Sequence, residues 1–353
     1  SLHSGITQSE RYTRWLESYE GLVDILLGTR MAIFASLPKL GLIVVDEEHD
    51  SSYKQQDGLR YNARDIAIYK ARLEGVPVVL GSATPALESY RKAIRKNYYL
   101  LKLVSRPSGQ PVKVRIIDTS NRWLDVGFSE ELLKAIQVRL EKGEQSLLYI
   151  NRRGFAPVLY CGSCGWSAEC LRCSAKLTYH RSGSCLKCHY CGHQEKVIAQ
   201  CRNCGNHELK DVGAGTQRIE VAIKNFFPEA RVIRVDSDST KSKGSFDHIR
   251  QSILKNEVDI LVGTQMMSKG HDFPKLTLVG VLDADMGIYS SDFRAAERLF
   301  QRLMQVSGRT GRDELPGEVI VQTGFPETPL YKAVSEQSYE AASEMLLSER
   351  RSA

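Results

Sequence analysis

Short apolar runs, separated by turn residues and by stretches of helical periodicity, recur along the whole chain. Residues 42–45, 76–80, 112–117, 146–150, 232–235, 258–262, 276–282 and 319–323 each read as a strand. Near-continuous runs of Val, Ile and Leu, as opposed to alternating ones, predict strands buried on both faces, as in a parallel sheet. Helices are predicted over 8–20 with Thr7 as N-cap, 65–74, 86–96, 129–142 with Ser129 as N-cap, 245–255, 292–306 and 339–351. Another follows the glycine-rich 213–218 and runs to about Asn225, and a short strand is expected over 24–27. Strands alternating with helices make this an α/β chain of βαβ units.

The strands end in chemistry. Leu42 to Val45 deliver Asp46, Glu47, Glu48 and His49, and ligands of open α/β sheets sit beyond the carboxyl ends of the strands. Two acids there suit Mg²⁺-assisted phosphoryl transfer, Asp46 holding the hydrated metal and Glu47 orienting the attacking water. The next strand ends in Gly81-Ser82-Ala83-Thr84-Pro85, whose hydroxyls are expected to reach His49. Between the two lies a loop in which Tyr53 and Tyr61 are interleaved with Lys54, Arg60 and Arg64. That mixture suits base stacking combined with phosphate neutralisation. Further on, 146–150 ends in Asn151-Arg152-Arg153-Gly154, whose arginines suit either a nucleic-acid backbone or a nucleotide cleft. The turn Gly213–Arg218 suits either a backbone phosphate or a plain tight connection. The helix 292–306 carries Gln305 towards Arg309 and Arg312, two guanidiniums suited to a forked grip on a γ-phosphate, Arg312 as the finger and Arg309 assisting.

All nine cysteines fall between 161 and 204, eight of them in four Cys-x-x-Cys pairs. Clustering of this kind indicates metal ligation in a reducing compartment, not a disulfide scaffold. Cys161, Cys164, Cys170, Cys173, Cys188, Cys191, Cys201 and Cys204 supply two tetrahedral Zn²⁺ sites, leaving Cys185 as a non-ligand thiol. Three pairings of the pairs exist. The spacing between Cys173 and Cys188 favours joining the inner pairs, with the outer pairs nested around them. The formal charge of +6 falls to +2 once two tetrathiolate zinc centres contribute −2 each, so net charge says little about a polyanionic partner. No run is long enough to span a bilayer.

Taken in order, Asp46–His49, Gly81–Pro85, Gly263-Thr264-Gln265-Met266 with Lys269–Phe273, and Gln305–Arg312 resemble motifs II, III, V and VI of superfamily 2 helicases. Within that superfamily the chain is similar to the bacterial replication-restart (primosomal) helicases, over nearly all of its length. The resemblance implies two RecA-like lobes, the first truncated: residues 1–107, then 108–330 with a double-zinc insertion over 158–212, and 331–353 opening a C-terminal domain. It also supports the nested zinc pairing. It places Thr29, Arg30, Tyr53, Lys54, Arg60, Tyr61, Thr264 and Gln265 against DNA. Glu48, His49, Gly270, Asp272 and Gln305 go to the nucleotide. The whole protein would be a cytoplasmic, monomeric, ATP- and Mg²⁺-dependent 3′→5′ helicase. Its partners would be forked and single-stranded DNA, primosome proteins and single-stranded DNA-binding protein, with no membrane. A phosphate loop is expected to lie ahead of this stretch, since the chain has no Gly-Lys dipeptide, so alone it is expected to be inert as an ATPase. The rival from another class is a non-catalytic zinc scaffold binding DNA and primosome proteins.

Overall fold

The computed structural model describes all residues except 4, 104–111, 121, 123, 125, 151–158, 162, 163, 165, 167, 174–176, 181–183, 189, 190, 208, 212–215, 237–244, 265–272, 289–291, 312–314 and 353. The chain divides into two compact units, Ser1–Leu101 and Lys102–Ala353.

The first unit opens with α1 (Gln8–Tyr19), started by a capping box in which Thr7 and Glu10 satisfy each other's backbone amides. A 3₁₀ turn over Arg30–Phe34 leads to β1 (Ile43–Val45). A second 3₁₀ turn, Ser51–Tyr53, precedes α2 (Ala63–Glu74), which begins at an Asn62 cap and stops at Gly75 in the left-handed conformation. β2 (Val78–Leu80) then pairs parallel to β1, and α3 (Leu87–Ile94) follows. Two expectations are corrected here. Residues 24–27 form no strand; their neighbourhood holds only an isolated bridge between Leu2 and Gly28. Nor is β1 buried on both faces: Val45 is buried, but Val44 is 61% exposed and Val79 of β2 is 45% exposed. α2 packs against both strands of this sheet.

The second unit is organised by a six-stranded, wholly parallel sheet. Its strands are β3 (Val112–Asp118), β4 (Gln145–Ile150), β10 (Val232–Val235), β11 (Ile260–Gly263), β12 (Leu276–Leu282) and β13 (Gly317–Thr323), ordered β10-β11-β4-β12-β13-β3. Side chains alternate between two cores. Leu147, Tyr149, Val279, Val281, Val319 and Val321 face one core, against α6 (Ser245–Leu254), α7 (Ala295–Ser307), α8 (Pro329–Ser335) and α9 (Tyr339–Ser352). Leu148, Ile150, Leu278 and Ile320 face the other, against α4 (Glu130–Glu141) and α5 (Thr216–Phe226). Gly280 makes the second packing possible: a Cβ there would lie 2.7 Å from Leu132 of α4. The sheet is not closed by its last strand, since β13 inserts between β12 and β3, leaving β3 at the edge. Residues 331–353 do not stand apart either. α8 and α9 bury Tyr331, Val334 and Ala342 in the core of the unit.

The cysteine-rich block leaves after β4 and returns before α5. It consists of an antiparallel pair, β5 (Leu159–Cys161) with β9 (Leu209–Asp211), and a three-stranded sheet of β6 (Thr178–His180), β7 (Cys185–Lys187) and β8 (Gln194–Lys196). No helix among the described residues is long and apolar enough to cross a membrane.

Candidate nucleotide-hydrolysis turn and metal centres

At the end of β1 the chain turns at once, and the turn is stitched to the end of β2. Gly81 N–H donates to the Val45 carbonyl at 2.9 Å, and Glu48 N–H donates to the Gly81 carbonyl at 3.0 Å. Asp46 stays exposed, its Oδ1 accepting the Glu47 amide at 3.0 Å. Glu47 sits at φ 48°, a left-handed conformation that non-glycine residues rarely hold. His49 Nδ1 lies 2.7 Å from Ser82 Oγ, the link between the two loops that their composition predicts, and 3.4 Å from Glu47 Oε2. The Tyr53 hydroxyl donates to the Asp46 carbonyl at 2.7 Å. Its own burial, and then the charge of Asp46, push its pKa up, so it remains a donor at neutral pH. An exposed carboxylate beside a half-buried one, both on a braced turn, fits a hydrated Mg²⁺ and a water held for attack.

Glu48 departs from its expected place among nucleotide ligands. It is 2% exposed, and its carboxylate points inward, accepting from Ala86 N–H at 2.5 Å, Ser89 Oγ at 2.9 Å and Arg64 Nη1 at 3.2 Å. A buried carboxylate needs such partners, because leaving it unpaired costs several kcal/mol. Arg64, expected with Lys54 and Arg60 to neutralise phosphate, is instead 7% exposed and bonded to Glu48 and Asp65. Ser89 carries no motif, and the spacing of either residue from Glu48 gives no sequence signal.

Several residues expected at DNA are bonded within the first unit. Arg30 Nη1 donates to the Ser52 and Lys54 carbonyls, each at 3.0 Å. Lys54 Nζ donates to the Arg60 carbonyl at 2.9 Å, folding the loop into a small hairpin with a bridge between Lys54 and Asn62. The Tyr61 ring meets Phe34 edge-on at 4.9 Å, and its hydroxyl donates to Met31 Sδ at 3.3 Å. Tyr61 therefore packs on the 3₁₀ turn instead of standing free as a stacking platform. Thr29 and Arg60 are exposed.

In the second unit, Thr264 follows β11 and is 6% exposed, while Arg309 follows α7 and is 7% exposed. Both are drawn into the body of the unit, and Gln305 on α7 is half-buried. Gln265, Gly270, Asp272 and Arg312 lie outside the described residues. Asp285, in the 3₁₀ turn Ala284–Gly287 just beyond β12, ties that turn to β13 and α8. It accepts from the Thr323 hydroxyl, from Gly324 N–H at 2.7 Å and from the Tyr331 hydroxyl at 2.7 Å, and burial raises its pKa.

The cysteines assemble as two sets, Cys161, Cys164, Cys201 and Cys204, and Cys170, Cys173, Cys188 and Cys191, the sulfurs of each within 4.8 Å of one another. This is the nested pairing. Sulfur–sulfur distances of 3.5 to 3.6 Å are too long for disulfides. A zinc tetrahedron with bonds of about 2.3 Å has edges of roughly 3.8 Å, and both sets fit one. Local backbone builds them: Arg172 and Asn203 amides point at Cys170 and Cys201 sulfurs at 3.4 Å, and Gly192 and Gly205 take left-handed turns just after their ligand pairs. Unneutralised thiols this close disagree. Hydrogen bonding from Asn203, then from the Trp166 backbone, lowers Cys164 to about 6. Although the Asn206 backbone pulls the other way, Cys164 and Cys161 hold Cys204 up at about 12. A divalent cation lets all four ionise. Cys185 and His193 stand outside both sets.

A doubly covered parallel sheet with its chemistry at strand ends, interrupted by a two-centre cysteine ribbon, defines a RecA-like helicase lobe carrying a zinc insertion. Two family models agree: the helicase conserved C-terminal domain matches residues 192–314, and the PriA DNA helicase Cys-rich region matches residues 170–196. Replication restart protein PriA of Haemophilus influenzae is 44% identical over 353 residues, covering 99% of this chain and 48% of that protein. Its counterpart from Bacillus subtilis is 43% identical over 357 residues, covering 99% and 44%. Over the residues it spans, the chain is similar to the PriA proteins. It spans about half the length of these curated relatives.

Proposed function

We propose that the chain supplies hydrolytic and metal-binding parts of an ATP-dependent 3′→5′ DNA helicase that restarts stalled replication forks by initiating primosome assembly. The observation that carries this reading is the braced turn: Asp46 exposed, Glu47 beside His49, and His49 tied to Ser82 at 2.7 Å. Asp46 would hold Mg²⁺ through its carboxylate, which neutralises charge on the phosphates. Glu47 would orient the attacking water, and Arg312, with Arg309, would stabilise the γ-phosphate. Gly270, Asp272 and Gln305 would complete the nucleotide contacts. On the DNA side, exposed Thr29, Lys54 and Arg60 would meet backbone phosphates of a single strand, and Gln265 would contact DNA from the loop after β11. The partners are forked and single-stranded DNA, primosome proteins and single-stranded DNA-binding protein, in the cytoplasm.

The test is ATP turnover by the whole protein. Glu47→Gln lowers kcat by about 10²- to 10⁴-fold while DNA binding and zinc content persist; undiminished turnover sinks the reading. The chain on its own, lacking any Gly-Lys dipeptide, is expected to show no DNA-stimulated hydrolysis.

A further inference from the structure

α3 has no side-chain cap of its own: its N-cap position is Ala86. The first amides of a helix have no intrahelical partner, and here the missing acceptor comes from elsewhere in the fold. Glu48 Oε1 takes the Ala86 amide at 2.5 Å, and Glu48 Oε2 takes the hydroxyl of Ser89, in the first turn, at 2.9 Å. A carboxylate from the acid turn thus does for α3 what the acid of a capping box does within one helix, accepting the N-cap amide, and its charge lies at the positive end of the helix dipole. The third partner, Arg64 in the first turn of α2, balances that charge at 3.2 Å and bonds onward to Asp65 at 2.9 Å.

We propose that Glu48 is a positioning residue for the hydrolytic turn: by capping α3 from outside, with Arg64 as buried countercharge, it holds Glu47 in its left-handed conformation. The proposal rests on the reading of Glu47 as the residue that orients water. A strained backbone position persists only where its surroundings over-determine it. Before Glu47, Val45 is bonded to Gly81; after it, Glu48 is anchored both through its amide to Gly81 and through its carboxylate to two helices. Releasing the carboxylate lets Glu47 relax to ordinary φ, which swings its side chain away from His49. Glu48 itself is 2% exposed, and both of its carboxylate oxygens are bonded to protein groups.

The experiment measures kcat and KM for ATP–Mg²⁺ in the whole protein for Glu48→Gln, Ser89→Ala, Glu47→Gln and the Glu47/Glu48 double variant, each normalised to the folded fraction by circular dichroism. Glutamine still accepts from Ala86 but confronts Arg64 without charge, so kcat falls about 10- to 100-fold, the scale of a misplaced reacting group. KM stays within about twofold, because uniform binding is untouched. Ser89→Ala, which removes one donor and leaves the fold intact, lowers kcat by roughly two- to fivefold. The double variant turns over no more slowly than Glu47→Gln alone, since one residue acts through the other. A raised KM or Mg²⁺ requirement with kcat preserved would make Glu48 a ligand contact and overturn the proposal. Losses that multiply in the double variant would make its role merely structural and overturn it as well. Should Glu48→Gln fail to fold, Ser89→Ala decides alone, and an unchanged kcat counts against the proposal. Full turnover in Glu47→Gln instead removes the reading beneath it, a separate and recognisable failure.

Discussion

The parallel sheet and the cysteine block belong to the same unit but are held together by different physics. The sheet buries two apolar cores, with Leu147, Leu148, Val279 and Ile320 wholly excluded from solvent. The block has one small cluster, Leu159, Ala168, Cys170, Leu177, Leu186 and Cys188, and two of its six members are metal ligands. Below a certain size an apolar core cannot offset the entropy of ordering the chain, and a metal or disulfide must complete it. The sheet is therefore stabilised by area, the block by coordination.

Metal removal draws that distinction most sharply. Structural zinc contributes about 10 kcal/mol or more to small domains. Chelation should abolish amide protection in β6, β7 and β8 while β4 and β12 keep theirs, as read by hydrogen exchange. Cys188→Ser should reduce bound zinc from two to one by metal analysis; retention of both would refute the ligand set. The converse perturbation is Leu148→Ala, which opens a cavity beneath α4 at a cost of about 2–5 kcal/mol, read as a lower urea midpoint with both zinc ions retained. If that variant also lost metal, sheet and block would be one cooperative body.

A smaller effect sharpens the same contrast at the sheet's rim. Arg231 grips Asp259 with Nε at 3.0 Å and Nη2 at 2.6 Å, and this hydrogen bonding is the main cause holding the Asp259 pKa below its ordinary value. A depressed folded-state pKa adds stability above the unfolded value, and that stability is lost as pH falls through the folded one. Asp259→Asn should then cost about 1 kcal/mol or less at neutral pH, since Arg231 is half exposed and screened. The difference from the parent should shrink as the solution is acidified below the ordinary carboxylate range, in paired denaturation curves from neutral to acid pH.

Much of the fold was legible because strand and helix periodicities are local. The caps Thr7 and Ser129 and the strand bounds 232–235 and 276–282 coincide with the observed elements. Within the candidate site, the His49–Ser82 link and the nested cysteines were also readable, from short motifs and spacing. Glu48 was not. Its neighbours Arg64 and Ser89 lie 16 and 41 residues away, and inward and outward carboxylates look alike in a run of acids. Tyr61 escaped for a similar reason, since an aromatic between basic residues reads as a platform until Phe34 and Met31 are seen against it.

The sequence by itself determined the parallel α/β class, the four Cys-x-x-Cys pairs and the acids that end β1, because each depends on residues adjacent in the chain. Tertiary structure alone decided that β13 enters between β12 and β3, that α8 and α9 pack into the second unit's core, and that one carboxylate of the acid turn faces a helix instead of solvent. Those choices depend on which apolar faces find each other and which buried charges find partners, and such energies accrue only between segments that folding brings together.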